Sequence, residues 1–112
     1  MKALFERLAI IDNEISRALK AVETDAGSSP VLDAVVKEFK NKSKKTLDSL
    51  NTADAWGIRE AIVELEQAAD SAKVAVEADA GATERARKAV LDAHMSICIV
   101  KNETASMPKN AR

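Results

Sequence analysis

The apolar residues of this chain recur with the period of an α-helix in four separate stretches. In the first, Leu4, Leu8, Ile11, Ile15, Ala18 and Val22 are spaced alternately four and three apart, which places them on one helix face. Asp25-Ala26-Gly27 ends that stretch, with Gly27 free to take the positive φ that closes many helices. Ser28-Ser29-Pro30 opens the second, a serine cap ahead of a proline whose missing N–H costs nothing in a first turn. Its stripe is Leu32, Val36, Phe39, Leu47 and Leu50. Ser43 stands where an apolar residue is expected, and Lys40 to Thr46 holds no hydrophobe, so this helix carries the weakest signal of the four.

Asn51 to Asp54 reads as a short connection with a capping box, Asn51 being the cap and Asp54 its partner three residues on. In the third stretch Ile58, Ile62, Leu65, Ala69, Ala72 and Val76 repeat the alternation of the first. Ala61, Ala68 and Ala75 widen that face with small side chains, which lets a neighbouring helix come close. Asp79-Ala80-Gly81 ends the third helix. Thr83 caps the fourth, Glu84 follows where the helix dipole favours an anion, and Ala86, Val90, Ala93, Ile97 and Val100 form its seam. These signals predict helices over 2–24, 30–50, 52–79 and 83–104 in a single domain, 1–104, with a flexible tail at 105–112. The expected fold class is all-α: an antiparallel up-down-up-down four-helix bundle made of two helical hairpins.

One short stretch repeats. Ala21-Val22-Glu23-Thr24-Asp25-Ala26-Gly27 differs from Ala75-Val76-Glu77-Ala78-Asp79-Ala80-Gly81 at a single position, and the flanks align poorly. A duplicated hairpin would explain the match; two helices that end alike explain it more simply, and the second reading is preferred.

Charge supports the helix order. The third helix, counted from Asp54 to Asp79, nets −5, the second about +2 and the segment from Ala82 onward +3. In an up-down bundle the acidic helix lies between two basic ones, which favours that arrangement over a mispaired one. Single exposed pairs contribute only about 0–1 kcal/mol each, so the layout selects the arrangement more than it stabilises it.

Composition excludes several classes. Of the 112 residues, 46% are apolar and 31% charged, so the chain is not a disordered tail. Only 3% are aromatic, with 3 glycines and 2 prolines, too few turn and β-forming residues for a sandwich or barrel. A net charge of −1 gives no global attraction to nucleic acid or anionic membrane. Charged Glu6 and Arg7 interrupt the only N-terminal run a signal peptide could use. No uncharged run approaches the roughly 20 residues of a membrane helix. The lone cysteine, Cys98, has no internal disulfide partner. The expectation is a cytoplasmic protein that does not insert into membranes.

Little in the sequence points to chemistry. His94 and Cys98 are four apart and share a helix face, and both suit zinc; a closed site takes four ligands, so two chains would be needed for His₂Cys₂. These two are the candidate metal ligands. The lysine and glycine that follow the histidine of phosphotransfer domains are replaced by Met95-Ser96-Ile97-Cys98. No Glu-x-x-His pair, haem-attachment sequence or glycine-rich phosphate loop is present. Lys37, Lys40 and Lys44 share a face within a lysine-rich stretch running to Lys45, the candidate polyanion-binding group. Arginine and aromatic residues are not interleaved with them, so nucleic acid is the disfavoured partner. No residue is assigned a catalytic role, and no cofactor is expected.

The most informative residues are apolar ones off the seams. Leu91, Met95, Cys98 and Ile99 form a second stripe on the fourth helix, and Trp56 and Val63 point away from the seam of the third. A bundle monomer buries one broad stripe per helix, so a second stripe signals a partner surface. The expected function is therefore a non-enzymatic interaction module, self-associating as a dimer or holding a partner protein's helix. The alternatives are a histidine- or metal-based signalling protein using His94 with Cys98, and a weak polyanion binder using Lys37 to Lys45.

Overall fold

The periodic stretches are helices. The computed structural model describes residues 2–105, and these form α1 (Lys2–Glu23), α2 (Pro30–Ser49), α3 (Ala55–Ala78) and α4 (Glu84–Ala105), with no strand among the described residues. Ala105, expected in the tail, closes α4; the rest of the expected tail, 106–112, lies outside the described residues. α2 starts as expected: Ser29 is extended at the cap, its hydroxyl accepts the N–H of Leu32, and Pro30 occupies the first turn. α4 starts in the same way, with the Thr83 hydroxyl accepting the N–H of Ala86. The start of α3 differs from expectation. Its cap is Asp54, whose carboxylate accepts the N–H of Gly57 at 2.8 Å, and not Asn51. Residues 50–53 instead form turns that continue from the end of α2, including a bond from the N–H of Ala53 to the carbonyl of Ser49.

Each helix packs on two others: α1 on α2 and α4, and α3 on α2 and α4. A 22-residue helix is about 33 Å long and about 10 Å across. The 47 × 20 × 19 Å extents of the protein are therefore two helices wide in both short directions. The apolar seams face inward, with Leu8, Ile15, Leu32, Phe39, Ile62, Leu65, Val90 and Ile97 essentially without solvent contact. Leu4, Leu47 and Leu50 only border that core.

The hydrophobe-poor stretch of α2 stays helical because its core-facing positions carry hydroxyls whose bonds are made. Ser43, 2% exposed, donates to Asp12 Oδ1 at 2.7 Å. Lys40 Nζ takes the other oxygen of that carboxylate at 2.7 Å. Thr46, equally buried, donates to the carbonyl of Lys42 at 2.7 Å and lies 3.4 Å from the carbonyl of Ala61, where the small side chain lets α2 approach the backbone of α3. Buried polar groups are tolerated at such positions when they are bonded in this way.

The short repeat sits within a longer match of buried positions. Shifting the chain by 54 residues, the distance from Asp25 to Asp79, brings buried positions of α1 onto buried positions of α3: Leu8 onto Ile62, Ile11 onto Leu65, Ile15 onto Ala69, Ala18 onto Ala72 and Val22 onto Val76. The same shift takes Leu32 to Ala86, Val36 to Val90, Phe39 to Ala93, Ser43 to Ile97 and Thr46 to Val100. The two halves of the chain, α1 with α2 and α3 with α4, thus place their buried residues at matching positions. The residues at matching positions differ in size, as Phe39 and Ala93 do, because burial constrains which positions lie inside more than which residues fill them.

The repeated Asp-Ala-Gly segments hold the halves together. Asp25 accepts the N–H of Gly27 through Oδ1 at 3.0 Å and that of Thr83 through Oδ2 at 2.8 Å. Asp79 accepts the N–H of Gly81 at 3.1 Å and that of Ser29 at 2.8 Å. Each aspartate thus closes its own loop and bonds the cap residue of a helix in the other half of the chain, Asp25 that of α4 and Asp79 that of α2. Among the described residues no glycine has a positive φ, so the expected role of Gly27 is also corrected. Glycine is needed there for close approach between the two loops.

Candidate functional site

The densest set of chemically capable side chains lies between α3 and α4. Glu66 and Asp70 are one turn apart on α3, and His94 and Cys98 are one turn apart on α4, so each pair shares a face. The two faces oppose each other. His94 Nε2 lies 2.8 Å from Asp70 Oδ1. Cys98 Sγ lies 3.6 Å from His94 Nε2 and donates to Glu66 Oε2 across 3.8 Å. Lys101 Nζ reaches the other oxygen of Glu66 at 3.3 Å. The His94 side chain is 16% exposed and that of Asp70 54%, so the imidazole is largely covered while the carboxylate is open to solvent.

Burial pushes the Cys98 thiol above its ordinary range, and the carboxylates of Glu66 and Asp70 push it further, against a smaller opposing effect of Lys101. Cys98 is thus a protonated thiol at neutral pH, a poor nucleophile despite its neighbouring imidazole. The Oδ, Nε2 or Nδ1, and Sγ atoms of Asp70, His94 and Cys98 lie within 4.8 Å of one another, close enough to share a metal ion.

His94 and Cys98 were visible in the sequence as a pair; Asp70 and Glu66 were visible only as part of the negative charge of α3. Nothing local in the sequence shows that these acids face α4. Their places in the helix register, once α3 and α4 are taken as neighbours, are the signal that would have found them.

The apolar residues off the seams fall into distinct surroundings. Trp56 and Val63 on α3, and Met95 and Ile99 on α4, are exposed. Leu91 packs against the edge of the core, and Cys98 is partly buried against Glu66 and His94. Ile99 shares a shallow groove between α1 and α4 with Arg7, Ile10, Ile11, Glu14 and Ser96. Ile10 is 60% exposed there, while its neighbour Ile11 lies on the seam and is buried, so apolar periodicity alone does not mark Ile10 as a surface residue.

The lysines of α2 are spread around the helix. Lys40 pairs with Asp12, Lys42 pairs with Glu64 across to α3, and Lys37, Lys44 and Lys45 are exposed. No family model, curated protein or solved structure matches the chain. Fold and site together define an all-helical, four-helix protein. None of its described helices is long and apolar enough to cross a membrane.

Proposed function

We propose that this chain is a small non-enzymatic interaction module of the cytoplasm that pairs with a second copy of itself through the face shared by α1 and α4. The observation that carries the reading is the exposure of Ile10 (60%), Met95 (64%) and Ile99 (50%), with Ile10 and Ile99 lining one groove. Isolated exposed hydrophobes need no explanation, but residues from two helices facing one groove supply the apolar centre an interface needs. The rim carries both signs of charge, with Arg7 and Glu14 on α1 and Glu103 on α4. A copy related by a two-fold axis can set acid against base on such a rim, which makes it self-complementary.

In this reading the helices run up, down, up and down. The cross-bonded Asp-Ala-Gly loops support that order at one end, and the ion pair between Arg7 and Glu103 supports it at the other. Trp56 and Val63 lie outside the pairing face. A solitary cysteine held as a thiol suits a reducing compartment.

Sedimentation of the full chain at high micromolar concentration tests the proposal. The expected result is a dimer, shifted to monomer by Ile10→Lys with Ile99→Lys at unchanged helix content. A strict monomer, or a dimer indifferent to those changes, overturns it.

A further inference from the structure

We propose that Asp70, His94 and Cys98 form a zinc site within one chain, with a carboxylate oxygen, Nε2 and Sγ as ligands and the fourth position left to water. This goes beyond the interaction module and does not depend on it. The donor set is the first argument. Imidazole nitrogen with thiolate sulfur is a borderline-soft pair that suits Zn²⁺ and poorly suits Mg²⁺ or Ca²⁺, and a carboxylate completes a three-ligand site of the kind that keeps one position open.

Geometry is the second. Zinc bonds of about 2.0–2.3 Å place ligand atoms roughly 3.3–3.8 Å apart at tetrahedral angles. His94 Nε2 and Cys98 Sγ are 3.6 Å apart, inside that range. Asp70 Oδ1 and His94 Nε2, at 2.8 Å, are closer because they share a hydrogen bond that an ion would replace. Opening that contact by well under 1 Å is a side-chain adjustment, and the exposed Asp70 carboxylate is free to make it.

The third argument comes from comparing matching positions in the two halves of the chain. The residues 54 positions before Asp70, His94 and Cys98 are Ser16, Lys40 and Lys44, so the fold does not require a ligand set at this place. In the first half a positive charge is supplied covalently: Lys40 Nζ lies 2.7 Å from Asp12, the counterpart of Glu66. In the second half the matching position is His94, a side chain that can bind a cation as well as carry a charge. Two carboxylates, Glu66 and Asp70, face it from α3, and Lys101 pairs with Glu66. Glu66, only 15% exposed and 3.8 Å from Sγ, stands behind the sulfur as an outer carboxylate. On binding, the thiol proton passes to solvent as the zinc–sulfur bond forms.

The test uses the metal-free full chain, titrated with Zn²⁺ by calorimetry in two buffers of different protonation enthalpy, and with Co²⁺ by absorption. The expected result is one ion per chain, with proton release and a thiolate-to-cobalt charge-transfer band. Cys98→Ser should abolish the band. Asp70→Asn, at an exposed position that leaves the fold intact, and Glu66→Gln should each weaken zinc by about tenfold or more. Melting of the metal-free variants separates lost ligands from lost structure. No saturable binding, a band that survives Cys98→Ser, or half an ion per chain with chains joined through the metal overturns the proposal. A monomer that binds one ion supports it while overturning the self-association above.

Discussion

Gly27 and Gly81 meet backbone to backbone. A Cβ on Gly27 would lie 2.0 Å from the carbonyl oxygen of Gly81, and a Cβ on Gly81 would lie 2.1 Å from that of Gly27. Neither distance is available to real atoms, and in each case the obstacle is main chain, which cannot rotate aside. Close approach here is what allows Asp25 and Asp79 to reach across to Thr83 and Ser29.

Gly27→Ala and Gly81→Ala should each therefore force the loops apart and weaken those cross-bonds. The expected loss is about 1–3 kcal/mol, the usual cost of inserting atoms into a filled space. Urea unfolding of the single variants measures it. Unchanged stability in both would mean that the loops are not opposed in solution.

The same contacts predict an acid sensitivity. For Asp25 the backbone N–H of Thr83 is the largest cause, followed by that of Gly27, of a pKa below the ordinary 3.8. For Asp79 the N–H of Ser29 leads. A depressed carboxyl pKa means the unfolded chain binds protons first as pH falls, so the stability these groups contribute is fully present above the ordinary value and is lost below it. Asp25→Asn with Asp79→Asn should lower stability at pH 7 and flatten its decline through acid. Unfolding midpoints measured from pH 7 to pH 2 check this, and a parental acid limb in the double variant contradicts it.

Among the described residues Phe39 is the largest wholly buried side chain, and the buried residue 54 positions on is Ala93. Phe39→Ala should cost about 3–5 kcal/mol, the usual penalty for emptying a fully buried aromatic position. Ala93→Leu should cost less, about 1–3 kcal/mol, through overpacking. Denaturant melts of both give the comparison; equal and small effects would mean that the core repacks freely.

Cys98 carries a prediction about reactivity. In metal-free protein its raised pKa, caused by burial first and then by Glu66 and Asp70, should make alkylation at pH 8 slower than that of a free thiol. Glu66→Gln or Asp70→Asn should speed it. The raised value also fixes a sign: above the ordinary thiol range the unfolded chain ionises first, so stability falls as pH rises, and Cys98→Ser should remove that contribution. Alkylation rates across pH, read by mass, test the first part, and alkaline melts test the second.

The helices were legible because each has to hide a stripe, and a stripe repeats every three or four residues wherever it is written. Leu8 to Val22 and Ile62 to Val76 could be placed inside from spacing alone, and Ser29, Pro30 and Thr83 marked starts by local chemistry. The start of α3 was misplaced because Asn51 and Asp54 are both good caps, and the choice between them depends on how the end of α2 turns into the connection. The match of buried positions between the two halves extends well past the short repeat, because a core constrains which positions are buried more than which residues fill them.

The sequence by itself determined four amphipathic helices, their approximate ends and the inward positions, since these depend on residues close together along the chain. Tertiary structure alone decided that Asp70 and Glu66 oppose His94 and Cys98, that Asp12 satisfies Ser43, and that two glycines touch. Those relationships join residues distant in sequence, and they exist only once packing has chosen which helix faces lie against each other.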